Sequence, residues 1–332
     1  MASSSSNSFN AEELLAFAIS LSKEAGHLIR TGRANLAASI STDFSSILKK
    51  NSADLVTESD KATEELVKKR IGETYPHHKF IGEESWAAGE ENDLGEEPTW
   101  ICDPIDGTTN FVNAFPFCCI SLALAYKQKL VIGVVYAPFL DRLYYGLAGS
   151  GSFLVTPADT PPRQLPLQRP LPLPSLKQAL IALEWGSDRR QEIVGKKART
   201  MERLCSEEGN MVQGIRSIGS AALSCCLVAE GAVSLYHEIG CWAWDVAAGW
   251  VMVNEAGGLT VGSKGHTLSL LSSNSPDLGI VTPEILQGRK YCCVRAIGDL
   301  PAGEDGNGAR SGKEQQGALL KEFFEAMDEW EA

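Results

Sequence analysis

The sequence predicts a mixed α+β and α/β chain, with an α+β half followed by an α/β half. Three observations carry that reading. Within residues 10–155, helix-period apolar residues come first and strand-like apolar runs come later. Residues 156–174, TPADTPPRQLPLQRPLPLP, hold too many prolines for regular structure and read as an exposed excursion. From 175 to 298, strand-like and helix-like segments alternate, as they do where helices cover a mixed or parallel sheet.

Each element follows from local pattern. Residues 1–9 are serine-rich and are expected to be disordered. Asn10 can cap a helix with Glu13 reaching back, and Leu14, Ala18, Leu21, Ala25 and Leu28 then share one face until Gly32 ends it. NSADLVTESD, residues 51–60, reads as a short extended piece. A second helix is predicted from Asp60, which can cap it, and it stops before Pro76 with Leu66, Val67 and Ile71 turned inward. From Cys118 to Leu147 two apolar runs and RLYYGL predict a β-meander. In the second half, ALIALEW, VQGIRS and AVSLYHEIG read as strands. Asp188–Glu207, GSAALSCCLVAEG and AWDVAAGWVMVNEAGG read as helices. The acidic tail, residues 299–332, is expected to be disordered, although ALLKEFFEAMDEW has the pattern of an amphipathic helix.

Composition narrows the function classes. A formal net charge of −12 over 332 residues repels nucleic acid and acidic membrane surfaces while tolerating cations. The nine cysteines fall largely in adjacent pairs within apolar stretches and show no CxxC spacing. They read as small core residues of a reduced protein. With neither a signal-like start nor an apolar span long enough for a bilayer, a cytoplasmic protein is expected.

The stretch WICDPIDGTTNF carries the chemistry. Pro104 cannot continue a strand's hydrogen bonding and Gly107 permits a turn, so Asp103 and Asp106 leave the strand end together with the Ile105 carbonyl between them. Such an oxygen set suits Mg²⁺, Mn²⁺ or Ca²⁺. GTTN can then open a helix whose free amides suit phosphate. Asp-Pro and Asp-Gly are also common in solvated turns, but a solvated turn does not need apolar runs on both sides. Three weaker candidates have plain structural readings as well. Glu83 and Glu84 end a short strand in FIGEES and can be loop residues. Asp245 can merely complement a helix start, and GIRSIGSAA can be an ordinary strand-to-helix junction.

DLVTESD, FIGEES, DPIDGTTNF, GIRSIGSAA, YHEIG and WAWDVAAGWVMVNEAGG occur in that order between Asp54 and Gly258. Together they resemble the inositol monophosphatase family, over roughly residues 10–298. The resemblance implies a layered αβαβα sandwich, usually dimeric and often inhibited by lithium. It implies that Glu83, Asp103, Asp106, Asp245 and the Ile105 carbonyl bind two or three Mg²⁺ ions, with Mn²⁺ as an alternative. Asp60 matches a carboxylate that orients a threonine or holds a metal-bound water, and Thr108 matches that threonine. Gly107 and Thr108 amides would hold the phosphate, beside Asp106 and Asp245. Gly219, Ser220, Ala221 and Glu238 would meet the inositol ring, Arg216 would shape its pocket, and Lys49 matches a basic residue on a mobile loop.

A phosphate monoester dianion resists anionic attack, so carboxylate-held Mg²⁺ would supply positive charge and lower the pKa of a bound water. Glu83, with Thr108 and Asp60, is expected to position and deprotonate that water. A second ion, held by Asp103, Asp106 and Asp245, would stabilise the leaving oxygen. The expected partner is therefore a small phosphate monoester. Histidinol phosphate and nucleotide 3′-phosphates are alternative substrates, and a catalytically silent metal-binding regulator is the alternative from another class.

Overall fold

The computed structural model describes residues 9–42, 52–90, 93–302 and 308–332. The first half comprises α1 (Ala11–Thr42), α2 (Ser52–Thr74), β1 (Lys79–Gly82), α3 (Glu83–Ala87), β2 (Thr99–Asp106) and α4 (Thr108–Val112). β3 (Cys119–Tyr126), β4 (Lys129–Ala137), β5 (Arg142–Leu147), β6 (Gly151–Val155) and β7 (Arg163–Gln164) follow. The seven strands form one sheet in chain order, parallel between β1 and β2 and antiparallel elsewhere. The second half comprises β8 (Leu180–Leu183), α5 (Gln191–Cys205), β9 (Gly214–Arg216), α6 (Ala221–Glu230), β10 (Leu235–Ile239) and α7 (Ala243–Glu255). It continues through β11 (Leu259–Val261), α8 (Lys264–Ser272), α9 (Pro283–Gln287), β12 (Lys290–Val294) and α10 (Gly312–Ala326). Its mixed sheet has the order β11-β12-β10-β8-β9.

These elements stack as α, β, α, β, α. Alternating residues of the first sheet face opposite ways. Trp100, Cys102, Leu122 and Leu124 join the core under α1 and α2. Ile101, Ala123 and Ala125 join the core around α6 and α7, which Tyr236 and Cys293 of the second sheet close from the other side. Burial on both faces explains why β3 reads as a near-continuous apolar run. Small residues set the middle spacing: a side chain at Gly133 would run into the Ala248 carbonyl, and one at Gly249 into Cys225. All nine cysteines are free, and seven are buried. No helix among the described residues is long and apolar enough to cross a membrane.

Four local expectations are corrected. Gly32 does not end α1, which continues to Thr42; a Cβ there would lie 2.7 Å from the Ser59 hydroxyl, so this glycine serves the crossing of α1 and α2. Residues 52–60 are helical rather than extended, so Asp60 lies inside α2 and caps nothing. The proline-rich excursion contributes β7 to the sheet edge and buries Leu165 and Leu173. In the acidic tail, Ser311 and Glu314 form a capping box that opens α10, and Leu319, Leu320, Phe323 and Phe324 are buried against the outer face of the second sheet. The last two rings lie 5.2 and 6.2 Å from the His237 imidazole on β10.

Burial pulls the pKa of His237 down to about 3. Between that value and the ordinary imidazole range, the unfolded chain binds a proton that the folded chain refuses. Stability therefore falls as pH drops through this window, by about 1.4 kcal/mol per pH unit for one group. His237→Leu is expected to flatten the decline between pH 6 and pH 4.5 by that slope. Urea unfolding of both chains across the interval checks this, and parallel curves would contradict it.

Candidate active site

In a straight strand, Asp103 and Asp106 would point to opposite faces because they are three residues apart. The pairing of β2 with β3 is irregular between them: Asp103 opposes Ser121 while Asp106 opposes Cys119. That inserts one extra residue at Pro104–Ile105, where the missing proline N–H costs no ladder bond. Asp103 Oδ1 accepts from Ile105 N at 2.9 Å and fixes the turn. Both carboxylates consequently reach one side, where Asp245 from α7 joins them. One oxygen from each of the three lies within 4.8 Å of the others.

A different element holds each carboxylate. Asp245, in the first turn of α7, accepts from Trp242 N at the helix start. Asp106 lies on the N-terminus of α6, accepting from the Ser220 hydroxyl, from Ala221 N at 3.2 Å and from Ala222 N at 2.9 Å. Glu83 opens α3 and lies beside Asp103. The buried Glu64 of α2 holds α3 in place, accepting from Glu84 N at 2.8 Å and Ser85 N at 2.7 Å. A side chain at Gly82 would collide with that carboxylate.

Gly107 adopts φ 87°, and a Cβ there would lie 2.8 Å from Phe117 O and 3.1 Å from Gly219 O. Asn110 Nδ2 donates to Phe117 O at 2.7 Å and Ile218 O at 2.8 Å, tying the turn to the loop before α6. Gly219 adopts φ 74°, and its N–H donates to Glu184 at 2.9 Å.

Burial first, and neighbouring carboxylates second, push these groups upward: Asp60 to about 8 beside Glu83 and Glu84, and Glu83 to about 7 beside Glu84 and Asp106. Asp103 and Asp245 are held well above the ordinary carboxylate range by the same causes. Asp106 is raised by burial although Ser220, Ala222 and Ala221 favour its ionised form. Glu238 on β10 is pushed up to about 8 by burial, against the lowering effect of its bond from the Tyr236 hydroxyl.

The structure thus gathers Asp60, Glu83, Asp103, Ile105, Asp106, Thr108 and Asp245 around one strand end, with Gly107 and Gly219 beside it. Thr108 Oγ1 donates to the Ile105 carbonyl at 3.2 Å rather than to Asp60. Asp60 Oδ2 is buried without a hydrogen-bond partner among the described residues. Ser220 and Ala221, expected to face a ring, are buried and bonded to Asp106. Arg216 is exposed and donates to its neighbour's carbonyl, Ile215 O. Lys49 lies outside the described residues.

Glu64, Asn110 and Glu184 escaped sequence reading. Asn110 sits inside the quoted motif, and Glu184 ends an apolar strand just as Asp106 does, a pattern that could have flagged it. Glu64 has no such signal, because its use depends on α3 lying against α2.

An oxygen-only set, buried, mutually repelling and next to an unpartnered Asp60 oxygen, fits a divalent cation. Asp103→Asn keeps the oxygen that accepts from Ile105 N and removes a charge. A carboxyl whose proton affinity rises on folding costs stability at neutral pH, about 1.4 kcal/mol for each tenfold rise in that affinity. The variant is expected to be more stable than its parent in EDTA by about 1 to 2 kcal/mol and to lose stabilisation by added Mg²⁺. Urea unfolding with and without Mg²⁺ reads both effects; an unchanged Mg²⁺ response would remove Asp103 from the cation site.

Comparison with known proteins agrees with this geometry. The model of the inositol monophosphatase family matches residues 10–289. Protein qutG of Emericella nidulans is 36% identical over 326 residues, covering 94% of this chain and 92% of its own. Inositol monophosphatase 1 of Rattus norvegicus is 38% identical over 261 residues, covering 79% and 87%. The crystal structure of inositol monophosphatase-II from Staphylococcus aureus has a TM-score of 0.63 at 26% identity, covering 95% of this chain and 96% of that one. With the acidic strand end, the layered fold and the family match in agreement, the chain belongs to the inositol monophosphatase family, whose members are phosphatases.

Proposed function

We propose that the protein is a Mg²⁺-dependent phosphomonoesterase that hydrolyses inositol monophosphate to inositol and phosphate. The observation that carries this reading is the meeting of the buried Asp103 and Asp106 with the partly buried Asp245 at the end of β2. Those three, with Glu83 and the Ile105 carbonyl, would hold two or three Mg²⁺ ions. Bound there, Mg²⁺ supplies the positive charge that lets a nucleophile approach a phosphate dianion and makes water more acidic.

The chain's own groups do the rest. Glu83 takes the proton of the attacking water. The unpartnered Asp60 oxygen and the Thr108 hydroxyl orient that water. Gly107 and Thr108 amides receive the phosphate, and a glycine is needed because a Cβ would meet Phe117 O and Gly219 O. Gly219 and Glu238 face the ring, and Arg216 borders it. Ser220 and Ala221 act through Asp106, whose carboxylate they hold. Direct attack of water needs no covalent phosphoenzyme, so none of the cysteines is called on as a nucleophile.

Inositol as the alcohol is supported by the YHEIG strand carrying Glu238 and by the similarity to relatives named inositol monophosphatase. A cytoplasmic homodimer completes the reading, and sedimentation velocity checks the dimer. Phosphate release from inositol 1-phosphate, histidinol phosphate and adenosine 3′,5′-bisphosphate should favour the first by about tenfold or more in kcat/KM. Asp103→Asn and Asp245→Asn should each lower Mg²⁺-dependent release by about 100-fold or more. Negligible turnover of inositol 1-phosphate would defeat the substrate, and release that survives both substitutions would defeat the ligand assignment.

A further inference from the structure

Beyond α10 the chain does not trail into solvent. Arg203 Nη1 donates to Ala326 O at 2.6 Å, and the Asp328 carboxylate accepts from Arg199 Nε at 3.0 Å and Arg203 Nη2 at 2.8 Å. Asp328 N donates to Thr200 Oγ1 at 3.0 Å. Glu329 accepts from Lys264 N at 2.6 Å and, with Glu331, pairs with Lys290 at 3.2 and 2.9 Å. Between these clamps the Trp330 ring lies 5.1 Å from Lys197 Nζ. Residues 326–331 lie beyond residue 289, where the family match ends, while Lys197, Arg199, Thr200, Arg203 and Lys264 lie within it.

Lys197 links the clamp to the site. It projects from α5, is 4% exposed, and donates to Trp185 O. A Cβ on Gly186 would lie 3.5 Å from Lys197 Nζ and 3.8 Å from Glu238 Oε1, so ammonium and carboxylate share one small space. Glu184, Lys197, Glu238, Met327 and Trp330 are among the residues that line the cavity there. Arg189 braces the same turn, donating to Trp185 O at 3.0 Å and Gly186 O at 2.6 Å. Glu184, next to Trp185, accepts from Ile218 N at 2.6 Å and Gly219 N at 2.9 Å.

We propose that residues 327–331 are a strap whose Trp330 holds Lys197 in place, and that Lys197 thereby positions the Glu184, Gly219 and Glu238 wall that recognises the substrate's alcohol part. The physical case rests on the lysine. Its four-carbon stem is flexible and its head strongly hydrated, so it remains inside only where every side is filled. The Trp330 ring face, the Trp185 carbonyl and the Glu238 carboxylate fill those sides. Without the indole, water reaches the ammonium and the stem swings outward. The Trp185 carbonyl then loses a donor, and the turn carrying Glu184 loosens from Ile218 and Gly219. The acidic strand end keeps its own supports, because Asp106 is gripped by the Ala221 and Ala222 amides of α6 and not through Glu184. The kinetic part of this proposal rests on Glu238 facing the inositol ring, as read above; the structural part does not.

The test uses the full chain with Trp330→Ala, Asp328→Ala and Trp330→Phe. With Mg²⁺ saturating, Trp330→Ala and Asp328→Ala should raise KM for inositol 1-phosphate about five- to tenfold with kcat within about twofold. Both parameters for p-nitrophenyl phosphate, which has no ring hydroxyls, should stay unchanged. Trp330→Phe, which keeps an aromatic face over the ammonium, should recover most of the loss. Hydrogen exchange of the Gly214–Ser220 segment should quicken about tenfold in Trp330→Ala while β2 and β3 keep their protection. Equal losses on both substrates, or unchanged exchange at Gly214–Ser220, overturn the proposal. If the parent chain leaves inositol 1-phosphate intact, the functional reading falls and exchange alone decides the strap.

Discussion

Like-charge crowding in a dry place is the constraint on which this molecule turns. Asp103, Asp106 and Asp245 are held within 4.8 Å of one another, with Glu83 and Asp60 close behind, where little water screens them. Left to themselves, five such groups would spread apart or take up protons. Rigid supports prevent the spreading: the irregularity in β2, the Glu64 carboxylate under α3, and the helix starts that grip Asp106 and Asp245. The repulsion that remains is what a divalent cation bound there would relieve.

Asp106 also joins the halves. Its backbone ends a strand of the first sheet, while its side chain completes the N-terminus of a helix packed between the two sheets. Asn110 makes the companion tie to the Ile218 carbonyl, and Gly107 and Gly219 let the two backbones approach. Small residues in the middle layer serve the same end. Gly133 beneath Ala248 brings α7 close to the first sheet, Gly249 against Cys225 brings it close to α6, and that closeness puts Asp245 level with the end of β2. Packing density and site geometry are thus one requirement.

Much of this was legible in the residues. The meander and the alternating second half follow from short apolar runs bounded by turn residues, because β3, β4 and β10 are buried along most of their length. The site motif was legible because apolar strands ending in carboxylates are chemically costly and therefore informative. The misreadings share one cause: a local signal was given a local meaning when a distant partner used it. Gly32 looked like a helix stop, yet it makes room for Ser59 on another helix. Asp60 looked like a cap, yet α2 begins earlier and leaves its carboxylate inside the site. In the acidic tail the helix pattern of ALLKEFFEAMDEW was legible, but the sheet face that buries Phe323 and Phe324 was not.

By itself the sequence determined the family, the fold class and most of the acidic residues of the site, since spacing, turn chemistry and apolar runs are properties of neighbours along the chain. Only the tertiary structure decided who supports whom. It placed Ser220 and Ala221 on Asp106, recruited the Glu64 and Glu184 carboxylates as acceptors for backbone N–H groups, and laid Trp330 against Lys197. The physical reason is that a buried charge is stabilised by whatever donor comes within about 3 Å. That depends on distance in space, which helix crossings and layer spacings set and which no single stretch of chain encodes.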